Sequence, residues 1–295
     1  MADGAYAYVQ PPGGWCVNNA GVLGGRDGLV AIDTAATLRR ARAFRDEVAG
    51  LGRGPVRFVV NTHHHGDHIF GNCVFAPPAT VIAHDAAPGE IEKAGLGLRR
   101  LWPDVDWGEI SLVPPALTFP DRLEIRLENG AAELLYAGPA HTTNDVVAWL
   151  PDERVLFAGD VVMHGVTPFV LMGSVHGSLR ALARLRGLGP RVVVCGHGDI
   201  AGPEVIDDNE EYLRWLLDVA RDGVARGRTP LEAASRADLG RFAKLLDPER
   251  IVGNLHRAYL ELTRPELPYA AELPVLDSFR EMIDFNGGRL PRCHA

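Results

Sequence analysis

Up to about residue 200 the chain alternates short apolar runs with glycine- and proline-rich turns, and beyond it the apolar positions fall at helical spacing. Tyr6-Ala7-Tyr8-Val9, Trp15-Cys16-Val17 and Gly28-Leu29-Val30-Ala31-Ile32, separated by Pro11-Pro12-Gly13-Gly14 and by the glycines from Gly21 to Gly25, predict successive antiparallel strands. Leu38, Ala41, Phe44, Val48 and Leu51 recur with a helical period, so a helix is expected over 34–51, with Asp33 or Thr34 as its N-cap and Gly52 past its end. Strands follow at 56–60 and 81–83, then a short helix over 85–94. The stretch 95–122, with Trp102 and Trp107, has no clear period, and irregular chain of that length inside a compact domain is functional or mobile. Four more strands are read at 123–128, 132–136, 145–150 and 154–158. A helix capped by Ser178 and running to about Leu188 then leads into a buried strand at 191–195. Helices are predicted over 204–226, 230–237 and 248–262, each with proline at or near its start. The pattern divides the chain into an α/β unit over 1–202 and a mainly helical C-terminal extension over 203–295 that packs on it. Leu213, Leu216, Leu217 and Ala220 form its plainest apolar stripe, which suits core or dimer packing, with a lid over a cleft as the alternative.

Composition narrows the class. The 295 residues are 46% hydrophobic and 23% charged, the make-up of a globular enzyme with a large core. A formal net charge of −8 gives no basic footprint for nucleic acid. No run approaches the ~20 apolar residues needed to span a bilayer, and Met1 to Tyr6 lacks the basic start and apolar core of a leader. The expectation is a cytoplasmic protein with a small-molecule substrate, neither nucleic acid nor membrane as partner, and a homo-oligomer left open. Cys16, Cys73, Cys195 and Cys293 form no C-x-x-C pair, as expected of small buried thiols in a reducing compartment. Cys195 is read as a core filler.

The chemistry concentrates in Asn61-Thr62-His63-His64-His65-Gly66-Asp67-His68, directly after the β-branched run 56–60. Imidazole and carboxylate are the donors that Zn²⁺ and Fe²⁺ prefer, and no thiol in the cluster suggests a structural zinc knot. In an extended segment side chains alternate, so His63 and His65 share one side and His64 takes the other. Gly66 would then turn the chain and bring Asp67 and His68 round. A helix pairing His64 with His68 is the rival geometry, opposed by the valine-rich lead-in and by the absence of a Glu after the first His. A solvated histidine-rich loop is the plainer alternative. Three later strand ends repeat the design of a ligand-type residue in a glycine-rich turn: Gly138-Pro139-Ala140-His141, Gly159-Asp160 and Gly196-His197-Gly198. Strand ends on one side of an α/β layer converge, so such residues can meet.

The order H-x-H-x-D-H, a His after Gly-x-x, Gly-Asp, then Gly-His-Gly resembles the metallo-β-lactamase superfamily over roughly residues 17–200. The resemblance implies an α/β (α+β) fold, a four-layer αβ/βα sandwich, here with the C-terminal helical extension. It implies two metal ions, zinc first and iron or manganese as alternatives. His63, His65 and His141 would hold one; Asp67, His68 and His197 the other; Asp160 would bridge both. Asp33 matches the Asp that braces the histidine loop. The expected activity is hydrolysis of a thioester, lactone, lactam or related ester or amide by a water activated between the ions, with Asp67 as the catalytic carboxylate that orients it. An iron-dependent sulfur dioxygenase and a phosphodiesterase of the same superfamily are the rivals. A carboxylate at 160 resembles the glyoxalase-II, lactonase and phosphodiesterase-like branches rather than dedicated β-lactamases. Asn144 stands where the family pattern has glycine, and Asn tolerates the left-handed turn expected there. Trp15, Asn19, His164 and His176 are the candidate substrate contacts, each weighed against packing or a solvated loop. His64 is read as a supporting or packing residue.

Overall fold

The computed structural model describes residues 3–295, so Met1 and Ala2 of the stretch read for a leader lie outside it. Among the described residues no helix is long and apolar enough to cross a membrane.

Two sheets organise the molecule. The first is six-stranded in sequence order: β1 (Ala5–Tyr8), β2 (Ala20–Gly25), β3 (Gly28–Ile32), β4 (Val56–Val60), β5 (Thr80–His84) and β6 (Leu117–Phe119). Its first pairings are antiparallel hairpins, and β3 to β6 run parallel because helices connect them. Those helices are α1 (Leu38–Gly50), α2 (Gly66–Ile69), α3 (Asn72–Phe75), α4 (Ala87–Ala94) and α5 (Leu98–Leu101). The second sheet has the order β11-β10-β9-β8-β7, where β7 is Arg122–Arg126, β8 Ala131–Tyr136, β9 Val146–Leu150, β10 Val155–Met163 and β11 Val192–His197. Helix α6 (Val175–Leu188) crosses over to make β10 and β11 parallel neighbours. The chain closes with α7 (Glu204–Ala225), α8 (Pro230–Arg236), a 3₁₀ turn, α9 (Arg250–Thr263) and α10 (Val275–Phe285).

Strand alternation dictates the layers. On β3, Val30 and Ile32 face the second sheet while Leu29 and Ala31 face α1 with its Phe44 and Val48. On β9, Val146, Ala148 and Leu150 face the first sheet, whereas Val147 and Trp149 join the apolar cluster of α6, α7 and α9. Helix, sheet, sheet and helix are therefore stacked in four layers, with the central strands β3, β9 and β10 buried on both faces and the edge strand β7 largely exposed. Cys195 lies in the helix-facing cluster as a core filler. Leu213, Leu216, Leu217 and Ala220 are buried in that same cluster, continuous with the core under the second sheet.

Several local expectations need correction. Trp15-Cys16-Val17 is a turn closed by Val17 N–H donating to the Gly14 carbonyl, with Cys16 at φ 64°. Helix α1 is capped by Thr37, because Asp33 and Thr34 are drawn to the histidine loop instead. Ser174 caps α6 and accepts from Gly177 N, and the Glu261 carboxylate accepts the Val175 and His176 N–H groups, so the helix starts before Ser178. Strand β10 continues to Met163 through a register shift around Asp160, and α10 had no expected counterpart. The 95–122 stretch packs Trp102 and Trp107 into the core.

Candidate metal centre

Strand β4 delivers the histidine loop at the edge between the sheets. His65 is extended, at φ −66° and ψ 144°, and α2 begins at Gly66. Gly66 is required by contact, since a Cβ there would meet the Phe70 ring at 2.5 Å. The alternation holds: His63 and His65 face His141, with ring centroids 4.8 and 4.7 Å away, and His64 turns aside. Strands β10 and β11 bring Asp160 and His197 to the same edge. Gly196 lets them meet, because any side chain there would collide with the Asp160 carboxylate at 2.0 Å.

The seven expected ligands converge. One potential donor atom from each of His63, His65, His141 and Asp160 lies within 4.8 Å of the others, and Asp67, His68 and His197 form a second such group. Asp160 is the common neighbour: its Oδ1 is 3.2 Å from His68 Nε2, and its Oδ2 is 3.4 Å from both His141 Nε2 and His197 Nε2 and 3.9 Å from His63 Nε2. Asp67 Oδ2 is 3.3 Å from His197 Nε2.

Four of the histidines have Nδ1 pinned from outside, while His141 Nε2 meets His65 Nδ1 at 2.8 Å across the cluster. His68 Nδ1 bonds Asp33 at 2.8 Å, His197 Nδ1 the Gly13 carbonyl at 2.9 Å, His141 Nδ1 the Phe169 carbonyl, and His63 Nδ1 pairs with Thr62 Oγ1 at 3.1 Å. Such bonds fix ring orientation and tautomer, as metal-ligating imidazoles need. By contrast His63, His65 and His68 Nε2 and Asp160 Oδ1 are buried without a hydrogen-bond partner. Four orphaned polar atoms on clustered side chains would be costly in a finished core. Divalent cations satisfy that donor set.

Charge is arranged to match. Burial alone would raise the Asp160 carboxyl, but His197, His68 and His141 outweigh it and hold it well below the carboxylate range. His197 is pushed up to about 9 because Asp160 and Asp67 outweigh its burial, and His68 is likewise raised by Asp160, Asp33 and Asp67. His63 and His65 go down, through burial first and neighbouring rings second. A divalent ion would therefore meet bare rings at His63 and His65 and would have to displace protons at His68 and His197. Affinity for a divalent ion is expected to climb as pH rises toward the His197 value, with proton release measurable by calorimetry in buffers of different ionisation heat. A flat affinity between about pH 6 and 8 would contradict this.

The supporting residues are legible in the bonds. The Asp33 carboxylate accepts Thr62 N–H and Oγ1–H, both at 2.7 Å, besides its bond to His68. The Asp145 carboxylate accepts Ala140 N–H, Thr142 N–H and Thr142 Oγ1–H, which shapes the turn carrying His141. Asn144 is absent from the left-handed non-glycine residues, contrary to expectation. Its amide instead meets His64 Nδ1 at 2.9 Å and Thr143 Oγ1 at 3.1 Å. His64→Ala is accordingly expected to lower turnover less than about tenfold and to keep full metal content. Complete loss on mass-spectrometric and kinetic assay would mean that His64 belongs among the ligands.

The candidate substrate contacts have other employment. Trp15 donates its indole N–H to Glu249 at 2.7 Å and packs against Phe169, Trp102 and Phe279, with the Arg250 guanidinium 4.2 Å over its ring. Asn19 is buried, and its Nδ2 donates to the Cys195 and Gly198 carbonyls on either side of His197. It therefore braces that turn. His176 pairs with Glu261 at 2.6 Å at the start of α6. His164 follows β10 with Nδ1 3.3 Å from the Asp199 carbonyl. The carbonyls of Gly13 and Phe169 were missed, and no side-chain pattern announces a main-chain acceptor.

Comparison with known proteins agrees with this geometry. Residues 13–197 match the family described as the Metallo-beta-lactamase superfamily. The chain is 32% identical over 140 residues to a hydroxyacylglutathione hydrolase of Methylococcus capsulatus, covering 47% of each. It is 29% identical over 180 residues to the 2,4-dinitroanisole O-demethylase subunit alpha of a Nocardioides species, covering 59% of this chain and 50% of that one. It thus spans about half the length of these curated relatives. A metallo-beta-lactamase family protein of Thermus thermophilus superposes with a TM-score of 0.67 at 24% identity, over 90% of this chain and 94% of that one. Sequence match, four-layer fold and convergent histidines together make the chain a member of the metallo-β-lactamase superfamily.

Proposed function

We propose that the protein is a dinuclear metal-dependent hydrolase acting on a small carbonyl-centred substrate, with a thioester, lactone, lactam or related ester or amide as the bond cleaved. The observation that carries this reading is the convergence of seven ligand-type side chains, four of them histidines with Nδ1 pinned and four of them carrying a buried polar atom without a partner. His63, His65 and His141 would hold one ion, Asp67, His68 and His197 a second, and Asp160 both. When bound, a pair of divalent ions supplies an acidified water and a positive contact for a carbonyl oxygen.

The chain's own residues do the rest. Asp67, beside His197 and nearly buried, is the carboxylate suited to accept a proton from the attacking water and to orient it. Asp33 and Asp145 hold the loops so that the inner atoms need no reorganisation during reaction. His65 is the one partly exposed member of the seven, so entry beside it favours a small substrate. The hydroxyacylglutathione hydrolase relative supports a thioester.

A panel of thioester, lactone, β-lactam and phosphodiester substrates, each assayed with zinc, manganese and iron, tests the reading. Turnover of a carbonyl substrate with zinc is expected. One iron per chain with oxygen uptake and no hydrolysis would overturn it, as would activity confined to phosphodiesters.

A further inference from the structure

We infer that Asn254, flanked by Arg250 and Arg257 on α9, is a positioning residue for His141, acting through the main chain of residues 167–171. These three lie four and three residues apart and so share one helix face. They are 2%, 0% and 1% exposed, in positions where an amphipathic helix would ordinarily carry leucine. Two guanidinium groups and an amide are expensive to bury unless every contact is answered by an acceptor. Asp247 pairs with the Arg250 guanidinium at 2.9 Å, Arg250 Nε and Arg257 Nη1 stay without a partner, and the main-chain acceptors come from one irregular segment. Arg250 Nη1 donates to the Thr167 carbonyl at 3.1 Å, Asn254 Nδ2 to the Pro168 carbonyl at 2.7 Å, and Arg257 Nε and Nη2 to the Leu171 carbonyl at 3.0 and 2.8 Å. Asn254 Oδ1 accepts Val170 N–H at 2.8 Å.

The carbonyl between those anchors is that of Phe169, and it accepts from His141 Nδ1. Asn254 grips the residue on each side of Phe169, so the direction of this carbonyl is set from α9. A buried loop cannot satisfy its own carbonyls by regular pairing. The polar stripe supplies what a sheet or helix would have given and aims the remaining carbonyl at the imidazole. The C-terminal helices are on this account part of the scaffold of the centre. The inference rests on the reading of His141 as a metal ligand only for its functional consequence.

The test uses the full chain with ¹⁵N-labelled histidine rings, first free of metal and then titrated with zinc against a chelating dye. In the wild type, His141 is expected as the Nδ1–H tautomer with a slowly exchanging proton. Asn254→Leu should lose that slow proton and weaken zinc binding about tenfold. Tyr212→Phe removes only the 3.1 Å bond between Asn254 and the Tyr212 hydroxyl, and it should leave both readouts unchanged. If the leucine variant does not fold, Asn254→Ser removes the same grip with less bulk and is expected to behave alike. A folded variant at 254 that keeps the protected His141 proton and wild-type zinc affinity would overturn the inference. If the proton is protected in the wild type and lost in the variant while neither binds zinc, the positioning stands and the metal assignment falls.

Discussion

Asp160→Ala is expected to leave a folded chain that retains little zinc and turns over substrate at least on the order of 10³-fold more slowly. Its carboxylate lies within 4 Å of histidines from both candidate ligand groups: His63 and His141 in one, His68 and His197 in the other. Removing it takes a negative charge from the point where two cations would repel, so both ions should weaken together. His197 and His68 should also fall toward ordinary imidazole acidity, since Asp160 is the largest of the groups that raise them. Asp160→Asn keeps the volume and loses the charge, and it separates packing from electrostatics. Plasma emission spectrometry, steady-state kinetics and circular dichroism read the three quantities. An alanine variant with two zinc ions and near-normal turnover would remove Asp160 from the centre.

Asp33→Ala should combine a stability loss with a metal-binding loss. The residue holds φ 58°, which aspartate tolerates better than alanine, and is 2% exposed. Its carboxylate satisfies three donors: Thr62 N–H, Thr62 Oγ1–H and His68 Nδ1–H. Orphaning buried donors costs about 1–3 kcal/mol each, so a loss of about 3–9 kcal/mol is expected in urea unfolding. Zinc affinity should fall by about 10–100-fold, because His68 loses the bond that fixes its tautomer and Thr62 the bond that sets the histidine loop. Unchanged affinity in a destabilised but folded variant would make Asp33 a purely structural residue.

The main lines of the centre were legible because its chemistry is carried by side chains at strand ends. Period-two alternation through 56–60 separated His63 and His65 from His64, and the glycines at 138, 159 and 196 marked the ligand-bearing positions, although β10 runs on through Gly159 to Met163 and β11 through Gly196 to His197. Capping was less legible. Ser178 looked like a cap only because nothing local reveals that Glu261, far along the chain, accepts the N–H groups of Val175 and His176. Trp15, Asn19 and His176 were read as cleft residues from their place on loops, yet each is engaged by a distant partner: Glu249, the 195–198 turn and Glu261 respectively. The same cause hid the carbonyls of Gly13 and Phe169, which act through main-chain atoms that every residue possesses. A signal did exist on α9. Arg250, Asn254 and Arg257 interrupt an apolar stripe at helical spacing, and polar groups on a buried face imply a polar partner.

X-ray absorption and anomalous diffraction at the zinc edge, on protein loaded with zinc and freed of excess metal, address the central claim most directly. The account predicts two zinc ions per chain, one contacting His63, His65 and His141, the other Asp67, His68 and His197, with Asp160 touching both. A single ion, or ions bound elsewhere with Asp160 and His141 free, would contradict it.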